Sequence, residues 1–168
     1  MKRSRARGMR PGMSLAPRSA RVSLTEMTEL VLPQHSNVLG SAFGGTVLAW
    51  IDVAGAICAQ RHSGRVSVTA SIDEVSFVAP IRVGDVVILS ARINAAFRTS
   101  VEVTVTVQVE DRVTAHRRAC VEAFMTFVAV DDAGKPTEVP PLLAETAEDE
   151  RRAREAQDRR AARLSKRV

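Results

Sequence analysis

Eighteen consecutive residues, Phe43 to Gln60 (FGGTVLAWIDVAGAICAQ), carry a single formal charge, at Asp52, and are apolar on every side of a helical projection. A segment of that kind folds as a buried helix or crosses a membrane. Asp52 decides between them, since an aspartate at the centre of a span costs about 2.5–3.5 kcal/mol even on the most lenient insertion scale. Gly40, Gly44, Gly45 and Gly55 crowd the same stretch. The reading is a buried helix in a globular domain, with no membrane span.

An apolar helix needs a sheet to cover it, and the flanking sequence supplies one. Val22–Leu32 reads as a first strand ending at Pro33, and a loop with Asn37 and Gly40 leads to the helix. After the helix the apolar period switches to two. Strands are predicted over Val66–Phe77, Asp85–Phe97, Val101–Glu110 and Arg117–Val130. The third of these alternates strictly, with Val101, Val103, Val105, Val107 and Val109 opposite Glu102, Thr104, Thr106, Gln108 and Glu110. That predicts one buried face and one wet face. One strand, one helix and four strands make an α+β layout in which an antiparallel sheet curls around one long central helix. Pro136, Pro140 and Pro141 break the chain, and residues 144–164 read as a charged helix with Glu148–Arg152 and Glu150–Arg154 at pairing distance.

The net charge of +5 sits at the ends. Residues 1–22 hold seven basic and no acidic side chains, whereas residues 23–143 hold nine basic against thirteen acidic. A nucleic-acid surface is therefore not expected, and the chain has no tyrosine to stack on bases. The expected organisation is a disordered basic tail over 1–21, one domain over 22–143 and a C-terminal charged helix over 144–168. No apolar stretch follows the basic N-terminal residues, so no secretory leader is read. Cys58 and Cys120 lie in apolar runs and read as buried free thiols of a reducing, cytoplasmic compartment.

Few residues offer chemistry. A lone carboxylate on a buried helix is a functional candidate, because aspartate is rarely buried unless paired or functional. The alternative for Asp52 is a surface position or a structural hydrogen bond. Gly44 and Gly45 open the helix, where free N–H groups stabilise developing negative charge as an oxyanion hole requires. Tight helix-to-sheet packing explains the same glycines. Asn37 can orient a water or donate to a carbonyl, or simply shape a turn. His35, His62 and His116 show no metal-ligand spacing, so no metal is expected. Ser36 and Ser41 lack a nucleophile elbow.

Taken together these residues resemble a known family. Asn37-x-x-Gly40-x-x-Phe43-Gly44-Gly45 through Trp50-Ile51-Asp52 is similar to the signature of the hotdog acyl-CoA thioesterases. The likeness continues through Val68–Asp73, Phe77–Asp85, Ala96–Val103 and Phe124–Asp131, and so covers about residues 22–160. The resemblance implies the hotdog fold and hydrolysis of acyl-CoA to free acid and CoA. It implies that Asp52 and Asn37 are catalytic, Asp52 as general base or as nucleophile, with Gly44 and Gly45 as the oxyanion hole. It implies CoA contacts at Ala70, Ser71 and Ile72, at Thr99, Ser100 and Val101, and from Arg151 and Arg152 to the phosphates. Trp50, Phe77 and Phe97 are expected to shape the acyl tunnel. No cofactor is expected beyond the CoA of the substrate.

The same resemblance implies at least a homodimer, and further a trimer of dimers. Gly45 and Asp52 lie seven residues apart on one helix, about 10 Å along its axis. They are therefore expected to serve one thioester only across two chains. Two other readings stand beside hydrolysis. A hotdog hydratase or dehydratase would use a helix histidine, whereas the predicted helix, Phe43 to Gln60, has none and His62 is expected just beyond its end. A non-catalytic acyl-CoA-binding regulator would lack the acid or carry a DNA-binding domain.

Overall fold

The computed structural model describes residues 15–166. Its elements run β1 (Arg18–Ser19), β2 (Thr25–Leu30), α1 (Gly44–Ser63), β3 (Val66–Phe77), β4 (Val86–Ala96), β5 (Ser100–Glu110), β6 (Arg117–Val130), β7 (Leu142–Leu143) and α2 (Ala147–Ser165). Five strands form one antiparallel sheet in the order β2-β4-β5-β6-β3, wrapped over α1. Among the described residues no helix is long and apolar enough to cross a membrane.

α1 lays Val47, Ile51, Ala54 and Cys58 on the sheet, an i, i+4, i+7, i+11 stripe that recurs on one helical face. The aliphatic residues of β4, β5 and β6 complete this core, with Phe127 and Met125 at its centre. Gly55 is where helix and sheet come closest: a Cβ there would stand 2.8 Å from Phe127 Cζ. The helix ends at Gly64, in the left-handed region at φ 68°, whose N–H donates to Gln60 O.

The helix is not buried all round within one chain. Ala49 and Gln60 are exposed, and Val53 is 49% exposed. Beside that open face runs β3, the sheet's outermost strand, with exposed Val66, Val68, Ile72 and Phe77. A twelve-residue apolar edge strand next to an uncovered apolar helix face is a template for another chain.

Two expectations need correcting. The polar face of β5 is not wet: Glu102 and Thr104 are buried, because α2 lies across this face of the sheet and Arg159 pairs with Glu102. Strict alternation marks two faces but cannot say that a later helix covers the polar one. α2 begins in a capping box in which Thr146 accepts from Asp149 N–H and Asp149 accepts from Thr146 N–H, each at 3.1 Å. Asp149 also holds Arg92 of β4, which docks the helix start. Glu148 pairs with Arg152 as the spacing predicts, whereas no Glu150–Arg154 pair forms among the described residues.

The second correction concerns the expected tail. Its first fourteen residues lie outside the described ones, but Arg18–Ser19 pairs in parallel with Leu142–Leu143, and Ala20 is buried. The Arg18 guanidinium donates to His62 O at 2.8 Å and to Arg61 O at 3.4 Å, capping the carbonyl end of α1. His62, expected just beyond the helix, lies in its last turn; it is buried and donates from Nε2 to Pro140 O, and burial holds its pKa below the ordinary value. A chain starting at Arg21 therefore loses a helix cap and a strand pair. Two or three such hydrogen bonds contribute about 1–3 kcal/mol, so Tm is expected to fall by roughly 3–10 °C relative to a chain starting at Leu15. Coincident melting curves would show that the segment contributes nothing.

Candidate active site

The loop before α1 is closed on itself. Asn37 Oδ1 accepts from Leu39 N–H at 2.9 Å and Ser41 N–H at 3.3 Å, and Asn37 Nδ2 lies 3.0 Å from Ser41 Oγ. The side chain thus forms a turn, as its residue type favours. Nδ2 carries two hydrogens, and Ser41 takes only one. His35 ties the loop to the helix: its O accepts from Phe43 N–H at 2.8 Å, and its ring packs edge-on against Trp50 at 5.1 Å.

At the helix start Phe43 O takes the N–H groups of Thr46 and Val47. The N–H groups of Gly44 and Gly45 precede the first helical carbonyls and have none to bond. The exposed Phe43 ring folds over Gly45, 2.5 Å from where a Cβ would stand. Gly44 borders an apolar cleft of about 410 Å³ lined by Val47, Phe77, Val78 and Ile81. Of the three aromatics expected at a tunnel, only Phe77 lines this cleft. Trp50 is engaged by His35, and Phe97 lies beneath the Arg160 guanidinium at 4.4 Å.

Asp52 is half-buried, on α1 two turns beyond Gly45. Thr69 of β3 donates its hydroxyl to Asp52 Oδ1. This contact depends on a break in the strand's alternation. Thr69 pairs with Phe127, Ser71 with Thr126, Ile72 with Met125 and Glu74 with Phe124, so the register shifts at Ala70, which is bulged out, and again at Asp73. Thr69 consequently faces α1, while Ser71 and Asp73 face the other side, where Arg163 of α2 meets Asp73. In unbroken alternation all three would share a face.

The second face holds a polar cleft of about 400 Å³ between Ser71–Glu74 and the last turns of α2, lined by Arg159, Arg163 and Lys166. Val101 and Thr69 share Phe127 as their β6 partner. The Ser100–Val101 and Thr69–Ile72 segments are therefore at one level of the sheet, two strand spacings or about 10 Å apart.

Residues 39–116 match the thioesterase superfamily. A Bacillus subtilis protein described as an uncharacterized acyl-CoA thioester hydrolase is 39% identical over 122 residues, 73% of this chain and 71% of that protein. A solved hexameric acyl-CoA thioesterase is 39% identical, with a TM-score of 0.87 over 92% of this chain and 99% of its own. The chain belongs to the hotdog acyl-CoA thioesterases. An acyl-CoA hydrolase from Staphylococcus aureus, solved with butyryl-CoA and CoA, is 35% identical at a TM-score of 0.84, covering 89% of this chain and 92% of that one. Mouse acyl-coenzyme A thioesterase 11 is 38% identical over 142 residues, 84% of this chain but 24% of its own length. The chain thus spans about a quarter of the first curated relatives it matches.

The residues of the family-like motifs fall into separate groups. Asn37 lies in the loop that leads into Gly44 and Gly45 at the start of α1, and Asp52 stands apart with Thr69. Ser71 and Ile72 line the polar cleft; Ala70 is the exposed bulge. Thr99 lies in the β4–β5 turn, Ser100 opens β5, and Val101 is buried. Arg151 and Arg152 do not reach the cleft. They pair with Glu148 near the start of α2, eleven to twelve residues and about 17 Å before Arg163. Thr69, Arg159 and Arg163 were missed. Thr69 lay inside a quoted motif, but only the bulge shows which way it points.

Proposed function

We propose that the chain hydrolyses acyl-CoA to a free acid and CoA, in a site built by two copies. The observation that carries this reading is the Thr69-held Asp52 carboxylate on the open face of α1. Three alanine variants of the S. aureus hydrolase have been solved, at an asparagine, an aspartate and a threonine spaced fifteen and seventeen residues apart. Asn37, Asp52 and Thr69 have those spacings here.

In the proposed reaction the thioester carbonyl faces the Gly44 and Gly45 N–H groups, which stabilise the oxyanion. Asn37 donates to the carbonyl or the water. The partner copy's carboxylate, at position 52, takes a proton from water as its oxygen attacks the carbonyl carbon. The C–S bond then breaks, and the same carboxyl returns the proton to the leaving thiolate. Thr69 engages one carboxylate oxygen and leaves the other for the water. The apolar cleft beside Gly44 receives the acyl chain, and Arg159, Arg163 and Lys166 face the CoA phosphates. No cofactor is required by these steps. The exposed β3 edge and the open α1 face form the dimer, which stacks further into a hexamer as in the solved relative. A reducing cytoplasmic compartment suits the two free cysteines, of which Cys58 has its thiol pushed up to about 12 by burial.

Thiol release from acyl-CoA, followed with a thiol-reactive dye, tests the reading. Turnover is expected with EDTA present, and activity abolished by chelator and restored by zinc would overturn it. Thr69→Val removes a hydrogen bond to a charged group, and kcat is expected to fall about ten- to a hundred-fold with KM little changed. An unchanged kcat removes Thr69 from the site. In a single turnover in ¹⁸O-water, label appearing in Asp52 would replace the general base with a nucleophile.

A further inference from the structure

Glu102 is a charged residue on β5 with no exposure at all. Its Oε1 accepts from Arg159 Nη2 at 2.7 Å, Arg159 Nε at 3.1 Å and Asn94 Nδ2 at 3.0 Å. Asn94 is fixed in turn by Thr104, which donates to Asn94 Oδ1 at 2.9 Å. Among the described residues Oε2 is buried without a donor, and the buried hydroxyl of Thr126, its cross-strand neighbour, has no partner either. The Arg159 guanidinium carbon lies over the Phe124 ring, 4.0 Å from its centroid. Its position is thus set by a carboxylate and a ring. Among the described residues Nη1 has no protein acceptor, and Arg159 lines the polar cleft beside Ser71 and Arg163.

As a device for stability this is poor. Leucine or valine in place of both partners is often neutral or stabilising, and a buried carboxylate with one unsatisfied oxygen is a burden. What the arrangement provides is a held arginine. An arginine side chain loses much freedom on gripping an anion, and one already held loses less.

We infer that Glu102 is a positioning residue for CoA binding. It holds Arg159, and with it the last turns of α2, over the Ser71–Glu74 segment, so that a phosphate of the nucleotide meets a pre-set guanidinium. This rests on the proposal that the polar cleft receives CoA phosphates. Glu102 itself touches no substrate.

The test compares an acyl-CoA with the S-acyl-pantetheine thioester of the same acid, which lacks the nucleotide phosphates. Glu102→Gln is expected to raise KM for acyl-CoA about three- to ten-fold, the freedom of one arginine, with kcat and the acyl-pantetheine KM unchanged. Glu102→Gln should add nothing to Arg159→Leu, because both act through one guanidinium. If Glu102→Gln does not fold, the apolar pair Glu102→Leu/Arg159→Leu takes its place. That pair should keep or raise Tm and still show the raised acyl-CoA KM. Glu102→Gln lowering Tm while leaving KM untouched, or the apolar pair binding acyl-CoA like wild type, overturns the inference. Equal effects in the presence and absence of Arg159 overturn it as well. If wild type itself does not distinguish acyl-CoA from acyl-pantetheine, the phosphates are not read, and the underlying cleft assignment falls instead.

Discussion

Mixing Asn37→Ala and Asp52→Ala subunits is expected to restore about a quarter of wild-type activity, from two proteins that are each nearly inactive. The expectation follows from distance along one helix. The N–H groups of Gly44 and Gly45 open α1, and Asp52 stands seven residues beyond Gly45, about 10 Å along the axis. A thioester carbon and its attacking water must approach within about 3–3.5 Å. One helix therefore cannot present both its first amides and its own Asp52 to the same carbon. A two-fold partner can, because α1 has an open apolar face and β3 an unpaired edge beside it. Each single variant loses either the base or the positioning amide, a defect of about a hundred-fold or more. In an equal mixture half the dimers are mixed, and each of those has one intact site of two. Exchange is followed by placing different tags on the two variants. Subunits that demonstrably exchange without regaining activity would place Asn37 and Asp52 in one chain's site.

Strand periods and the all-apolar helix were legible in the chain because they are local. β3 and β6 have the bounds that their alternation and turns announce, Val66–Phe77 and Arg117–Val130. What was not legible depended on surfaces meeting far along the chain. The face of Glu102 looked wet until α2, more than forty residues later, lay across it. Arg18 looked like part of a tail because its role is to reach the carbonyls of Arg61 and His62. Which arginines of α2 border the cleft on β3 was not legible either, since a helix of repeating arginines has no internal mark of which turn meets that strand: Arg159 and Arg163 line it, and Arg151 and Arg152 pair with Glu148. Counting in twos would put Thr69 and Asp73 on one face, but register shifts at Ala70 and at Asp73 leave them on opposite ones. The helix's apolar circumference was read as full burial, whereas Gly45, Ala49, Val53 and Gln60 are exposed on it.

Gly55→Ala is expected to be the most damaging single methyl in the fold. The added Cβ would stand 2.8 Å from Phe127 Cζ, 2.9 Å from its Cε2 and 3.5 Å from Val105 Cγ2. Contacts under 3 Å demand movement, and little here can move. Phe127 is fully buried at the centre of the core, and Val105 is fixed in the middle of β5. Moving α1 away instead would open the stripe of Val47, Ile51, Ala54 and Cys58 that holds it to the sheet. Overpacking of this kind costs about 1–3 kcal/mol, partly offset by the better helix propensity of alanine, roughly 1 kcal/mol. For a chain of this size each kcal/mol lowers Tm by about 2–4 °C, so a net fall of several degrees is expected. The sign is the informative part, since the same substitution in an open helix stabilises. Phe127→Leu removes the ring edge that meets the new methyl, and the two substitutions should therefore be coupled. Gly55→Ala is expected to destabilise the wild-type background and to be neutral or stabilising in Phe127→Leu. A Tm that rises on Gly55→Ala in both backgrounds would mean that helix and sheet do not meet at this glycine.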